Sequence, residues 1–132
     1  MKAKLFLQFS ILNIALSVIL GAFGAHALKD IFTPYCMDIW EKGIFYQLIN
    51  SLGLLLIIVL HNQNLIKKSK TTLYLISLGI ILFSGSLYAL SLSISFFQEH
   101  NWLKSLFGPV TPIGGTLIIF GWIYAFFSIK KK

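Results

Sequence analysis

The chain has 132 residues, of which 57% are hydrophobic and only 11% are charged. A soluble domain carries about 25% charged residues, so this composition excludes an ordinary water-soluble globule, and the length allows a single domain. The net charge of +7 comes from lysine without any arginine, which does not favour a nucleic-acid partner. The single cysteine, Cys36, excludes an internal disulfide.

The first apolar run, residues 5–28, is long enough to cross a bilayer, which needs about 20 apolar residues. Its small and polar residues recur at spacings of three and four, which places them on one face of a helix. These residues are Ser10, Asn13, Ser17, Gly21 and Gly24. Membrane helices associate where small residues let their backbones approach. We therefore predict a membrane span with a built-in packing face.

A cleaved secretory signal is an alternative interpretation of the same run. Residues 1–4 supply a charged start, and Ala25-His26-Ala27 resembles a cleavage site. The apolar run is longer than the roughly 7–15 residues of a signal core, and cleavage would remove the packing face of small and polar residues. We therefore expect the segment to be retained as the first span.

Three further apolar runs predict three more spans. They lie at about 43–61, 72–97 and 110–129. Backbone groups in lipid must be bonded within their own segment, so each run is expected to be helical. The predicted fold class is all-α: a polytopic membrane protein with one transmembrane domain, 1–132, folded as an antiparallel four-transmembrane-helix bundle.

Two cap-and-proline pairs mark expected helix starts. Thr33-Pro34 combines a capping hydroxyl with a proline in the first turn. We expect the segment 33–42 that it opens to lie along the membrane surface, with Trp40 among its aromatic anchors. Thr111-Pro112 predicts the same kind of start for the fourth span, with unpaired N–H groups that favour an anion.

Lysine placement predicts the direction of the spans. One side of a four-span bundle holds eight lysines and no acid: Lys2, Lys4, Lys67, Lys68, Lys70, Lys130, Lys131 and Lys132. The other side mixes both signs of charge: Lys29, Lys42, Lys104, Asp30, Asp38, Glu41 and Glu99. Positive residues are retained in the cytoplasm. We therefore expect a multipass protein of the cytoplasmic (inner) membrane with both termini cytoplasmic.

With this topology, several polar and small residues fall at a similar depth in the outer half of the bundle. The candidate polar cluster or lipid-headgroup site consists of His26, Tyr46, Gln47, Asn50, Tyr88, Lys104, Thr111, Gly114 and Gly115. Such a cluster is compatible with an open pocket or with a hydrogen-bonded plug that fixes helix register. Helix packing is expected at Gly21, Gly24, Gly85 and Gly121.

The sequence shows no pattern for a catalytic, cofactor-binding or metal-binding set, so we expect none of these and lean against an enzyme. The acids lie in the flanks of the spans, whereas a proton-coupled exporter places an ionisable group at mid-membrane. Haem ligation needs facing axial groups. His26 and His100 are both expected on the outer side, but His100 falls in a loop, and His61 falls on the opposite side. No spacing marks one of the many serines as a nucleophile.

Five short motifs follow one another along nearly the whole chain. They are Gly21-Ala22-Phe23-Gly24-Ala25-His26, Tyr46-Gln47, Gly85-Ser86-Leu87-Tyr88, Thr111-Pro112-Ile113-Gly114-Gly115 and Gly121-Trp122. In this order they resemble the YgdD-like family of small multipass membrane proteins, whose function is unknown and whose members are bacterial and eukaryotic. The resemblance implies an inner-membrane protein of about four helices and carries over no catalytic residue. The chain departs from the family at Asn50, where the family has a histidine, and this exchange preserves only a hydrogen-bonding role.

The function that these patterns favour is contact with membrane lipids, with another copy of the chain or with a membrane-protein partner, without catalysis. The alternative is a small transporter or channel with a polar outer vestibule. An open cavity in the outer half of the bundle would favour the transporter. A closed, hydrogen-bonded core would favour the contact protein.

Overall fold

The computed structural model describes residues 3–67, 69–97 and 101–130. These residues form the helices α1 Ala3–His26, α2 Pro34–Asn62, α3 Ser69–Phe96 and α4 Asn101–Phe127. Each helix contains a stretch that is long and apolar enough to cross a membrane. The predicted all-α architecture with four membrane spans is confirmed.

Helix α2 begins earlier than the second apolar run because Thr33 caps it. The Thr33 hydroxyl accepts a hydrogen bond of 3.2 Å from the backbone N–H of Cys36, and Pro34 occupies the first turn. The predicted cap is confirmed. The expected separate surface segment is not seen, because residues 34–42 continue directly into the span. Trp40 is only 3% exposed, and its indole N–H donates to the Leu20 carbonyl at 3.1 Å.

Helix α4 also begins earlier than expected, at Asn101, so Thr111 and Pro112 lie inside it. The capped start predicted at these residues is therefore wrong, and so is the anion-favouring helix end. Prolines interrupt the backbone bonding of a helix, but membrane helices tolerate them because hydroxyls and neighbouring helices supply partners. The Thr116 hydroxyl donates to the Pro112 carbonyl at 2.8 Å, which is back-bonding to the residue four positions earlier in α4.

The helices pack chiefly on their neighbours in the chain. The most extensive interface joins α3 and α4, followed by α2 with α3 and α1 with α2. Phe6 near the start of α1 packs against Tyr74 near the start of α3, with ring centroids 4.9 Å apart. The backbone N–H of Lys130 donates to the Leu65 carbonyl at 2.9 Å. The start of α1, the loop after α2 and the end of α4 therefore share one end of the bundle.

We call this end the lysine-rich end, because Lys4, Lys67, Lys70 and Lys130 belong to it. One apolar cluster lies toward it and comprises Phe6, Leu54, Ile57, Ile58, Ile66, Leu73, Ile76, Ile80 and Ala125. A second apolar cluster lies toward the opposite end and comprises Leu28, Phe32, Cys36 and Trp40. Between the two clusters, the buried residues of α2 are Gly43 and three polar residues, Gln47, Asn50 and Ser51. Because α2 runs from 34 to 62, these side chains lie near its middle.

Candidate functional site

Residues of all four helices contribute hydrogen bonds to one layer in the middle of the bundle. We call this layer, formed by Asn13, Gln47, Asn50, Tyr88 and Trp122, the polar layer. Its first half centres on Gln47, which is 4% exposed. The Tyr88 hydroxyl donates to Gln47 Oε1 at 2.8 Å, and Gln47 Nε2 donates to the Asn13 carbonyl at 3.0 Å. One amide on α2 therefore ties α3 to α1.

The second half of the polar layer centres on Asn50, which is also 4% exposed. Asn50 Nδ2 donates to the Tyr46 carbonyl at 2.9 Å, and Asn50 Oδ1 accepts from the Trp122 indole N–H at 2.8 Å. An indole N–H can only donate, which fixes the orientation of the Asn50 amide. The amide nitrogen and the amide oxygen of Gln47 and of Asn50 therefore each form a hydrogen bond, as is usual for buried polar groups.

Two glycines of α2 make room for the aromatic partners. A Cβ atom at Gly43 would lie 2.7 Å from the Tyr88 ring, and one at Gly53 would lie 2.4 Å from the Trp122 ring. Along α2, amide side chains that form hydrogen bonds thus alternate with glycines that leave space for aromatic rings. Sequence reasoning missed Gly53 and the role of Trp122.

Other members of the predicted cluster lie apart from the polar layer. His26 is exposed at the end of α1, about 20 Å along the helix axis from Asn13 at 1.5 Å per residue. The Tyr46 side chain is 41% exposed, and only its carbonyl reaches the layer. The Thr111 hydroxyl shares a hydrogen bond of 2.7 Å with Ser86, which links α4 to α3. Lys104 belongs to α4, but its side chain lies outside the part that the structure describes.

The remaining two members of the cluster, Gly114 and Gly115, are covered by α3. A Cβ atom at Gly114 would lie 2.4 Å from the backbone nitrogen of Phe83, and one at Gly115 would lie 3.4 Å from the Phe83 ring. Across the interface, a Cβ atom at Gly79 would lie 3.0 Å from the Gly114 carbonyl oxygen. The space beside these glycines is therefore filled by a neighbouring helix, which keeps a ligand from their backbone.

The four glycines expected at helix contacts fall into two groups. A Cβ atom at Gly24 would lie 2.8 Å from Trp40 Nε1, and one at Gly121 would lie 2.5 Å from Ile76 Cγ1. By contrast, a Cβ atom at Gly21 or Gly85 would meet no heavy atom within 4 Å. The first two positions pack helices inside the bundle, whereas the other two remain open at its surface.

Buried serines mostly bond to the backbone of their own helix. The hydroxyls of Ser10 and Ser51 donate to the carbonyls four residues earlier, at 2.8 and 2.6 Å. Ser91 also reaches across to the Cys36 carbonyl at 3.0 Å. The buried hydroxyl of Ser84 has no partner in the described part of the chain. Back-bonding of this kind is the usual way to satisfy a hydroxyl inside a membrane helix, and it indicates a packing role.

In the part of the chain that the structure describes, two grooves open on the outer surface of the bundle, and none of the polar-layer side chains lines either one. The first groove, of about 420 Å³, runs between α1 and α3. The second groove, of about 320 Å³, runs between α1 and α2 beside Gly21 and Glu41. Among the described residues, no group of three or more His, Cys, Asp or Glu side chains is placed to hold a metal ion.

The family described as "Protein of unknown function (DUF423)" matches residues 20–115. A UPF0382 membrane protein of Staphylococcus epidermidis is 39% identical over 128 residues, which cover 97% of each chain. The chain belongs to the DUF423 family. Other DUF423 relatives include a UPF0382 membrane protein of Staphylococcus aureus, 42% identical over 128 residues and 97% of each chain. The UPF0382 membrane protein YwdK of Bacillus subtilis is 36% identical over 121 residues and 91% of each chain.

The DUF423 relatives are named as membrane proteins, and the four candidate spans agree with that name. The chain is therefore a multipass membrane protein of an uncharacterised family. The motif resemblance is confirmed to this level, while the narrower name YgdD-like is not confirmed. No solved structure matches the chain.

Proposed function

We propose that this DUF423 protein is a non-enzymatic component of the cytoplasmic membrane that acts through contacts with lipids or with another protein. The observation that carries the proposal is the polar layer, because its buried groups use one another as partners. An ion or proton carrier places an ionisable group at this depth. Here the layer is built from amides, an indole and a phenol, and it contains no Asp, Glu, His, Lys or Arg side chain.

Opening the polar layer would be costly. Side-chain hydrogen bonds between membrane helices contribute about 0.6 kcal/mol on average. A buried donor or acceptor left without a partner costs about 1–3 kcal/mol. A solute path along Gln47 and Asn50 would break bonds to α1, α3 and α4 together. This coupling supports one closed arrangement, which suits a contact protein better than a transporter.

The outer surface supplies the means of contact. The groove between α1 and α2 exposes Gly21, and Gly85 is open on α3. Exposed small residues are where membrane helices associate. A second copy of the chain or another membrane protein is therefore a suitable partner, beside the surrounding lipids.

The charge distribution supports the proposed orientation. The lysine-rich end would face the cytoplasm, with both termini inside. The described acids, Asp30, Asp38 and Glu41, belong to the opposite end. This orientation also fits the narrower resemblance to YgdD-like inner-membrane proteins.

Ion flux and crosslinking together test the proposal. Liposomes that contain the full chain and an internal pH-sensitive dye are given proton and potassium gradients, and Gln47→Leu is measured beside the unchanged chain. We expect both to match empty liposomes. In cells, a photo-crosslinker in place of Leu48, which lines the α1–α2 groove, should capture a protein or a lipid more often than one at exposed Ile119. Protein-dependent flux that Gln47→Leu abolishes would contradict the proposal, as would equal capture at both positions.

A further inference from the structure

The groove between α1 and α3 lies at the lysine-rich end and has an apolar wall. Leu5 and Phe9 line it from α1, and Tyr74, Leu78 and Ile81 line it from α3. Ser77 also lines the groove, but its hydroxyl oxygen is buried. The surface that an occupant meets is therefore hydrocarbon and aromatic ring.

The length of this groove suits one acyl chain. Tyr74 and Ile81 are seven residues apart on α3, which is about 10 Å along a helix axis. The hydrocarbon of one leaflet is about 15 Å thick, half of the bilayer core. Leu5, Leu78 and Ile81 are each about half exposed, so they flank the groove without covering it.

One lysine lies beside the wall of the groove, and a second is next to a wall residue in the sequence. The Lys70 ammonium lies 5.9 Å from the centre of the Tyr74 ring, and Tyr74 is part of the wall. On the facing helix, Lys4 directly precedes Leu5, which lines the other wall. None of the acids in the described residues belongs to this end. Lysines placed beside the membrane surface attract anionic lipids.

We propose that this groove binds one anionic phospholipid, with an acyl chain between α1 and α3 and its phosphate between Lys4 and Lys70. The inference rests on the proposed contact function and names the chemistry of its lipid partner. A partner helix fits less well, because membrane helices meet at small residues and these walls are built from large ones.

Native mass spectrometry of the purified full chain tests the headgroup contact. The probes are phosphatidylglycerol and phosphatidylcholine with identical acyl chains. We expect one retained lipid per chain, with a preference of about tenfold for phosphatidylglycerol. Lys4→Gln/Lys70→Gln should remove the preference. The matched control Lys67→Gln/Lys130→Gln removes the same charge at the same end, beside the end of α4, and should keep it. Equal losses in both double variants, or no retained lipid in the unchanged chain, would overturn the proposal.

A groove-filling substitution tests the acyl-chain contact. Leu78→Trp should abolish retention of both lipids, and Ile81→Trp provides a second variant if the first does not fold. Ile119→Trp, on the exposed face of α4, is the matched control and should retain lipid. Full retention in both groove variants would overturn the proposal. A dimer in the unchanged chain that the groove variants convert to monomer would also overturn it, because the groove would then be a protein interface.

These outcomes are separable from those for the proposed function. Ion flux together with lipid retention would overturn the contact function while leaving the lipid site in place. Absence of ion flux together with absence of lipid retention would contradict the lipid site and leave the contact function in place.

Discussion

Replacing Gly114 with alanine tests the interface between α3 and α4 directly. The new Cβ atom would lie 2.4 Å from the Phe83 nitrogen and 2.8 Å from the Phe83 Cα atom. Ordinary contact begins at 3.4 Å, so the helices must separate locally by about 1.0 Å, the difference between 3.4 and 2.4 Å. The obstructing atoms belong to the backbone, so no side chain can rotate away to relieve the overlap.

The expected loss of stability follows from this separation. Overpacking of a well-packed interface costs about 1–3 kcal/mol, and the hydrogen bond between Ser86 and Thr111 nearby adds about 0.6 kcal/mol if it breaks. The better helix propensity of alanine offsets about 1 kcal/mol of this loss, so we expect Gly114→Ala to lower the free energy of unfolding by about 0.6–2.6 kcal/mol. Gly85→Ala is the matched control, because its Cβ atom meets nothing within 4 Å. Alanine is the better helix former by about 1 kcal/mol, so the control should be as stable as the unchanged chain or more so.

Unfolding in mild detergent by titration with sodium dodecyl sulfate measures both variants. Circular dichroism and tryptophan fluorescence should report the same transition. Gly114→Val should enlarge the loss, while Gly85→Val should leave the midpoint close to that of Gly85→Ala. Equal midpoints for Gly114→Ala and Gly85→Ala would refute the reasoning, because α4 could not then lie directly against the Phe83 backbone.

Three further predictions concern the polar layer, the buried thiol and the orientation. In a double-mutant cycle, Tyr88→Phe and Gln47→Leu should show a coupling of about 0.6–1.7 kcal/mol in the same unfolding assay, and additive effects would contradict their hydrogen bond. Cys36 is 0% exposed, so a maleimide should modify it only after unfolding, and equal labelling rates would contradict its burial. In a Cys36→Ala background, an impermeant maleimide should label Asp30→Cys on intact cells and Gln63→Cys only after permeabilisation, whereas the reverse pattern would invert the proposed orientation.

Several features of the fold could be predicted because they depend on local chemistry. The four apolar runs predicted helices, since a backbone in lipid must bond within its own segment. The cap at Thr33 was predictable because a hydroxyl followed by proline specifies a helix start without help from the rest of the chain.

The same local reasoning failed where a neighbouring helix changed the outcome. Trp40 was expected at the membrane surface, but the Leu20 carbonyl on α1 and the Tyr88 ring on α3 bury it. Thr111 carries the same cap-and-proline signal as Thr33, yet it lies inside α4 and bonds across to Ser86 on α3. A capping signal therefore does not fix a helix end where tertiary contacts supply another partner for the hydroxyl.

The sequence by itself determined the number of spans, their helical form and the separation of charge between the two ends. Only the tertiary structure decided which residues meet. It joined Gln47 to Asn13 and Tyr88, joined Asn50 to Trp122, and seated rings against Gly43 and Gly53. The physical reason is that lipid is as apolar as a protein core. Hydropathy therefore cannot tell the inward face of a membrane helix from the outward one, and shape and hydrogen bonding between helices make that choice.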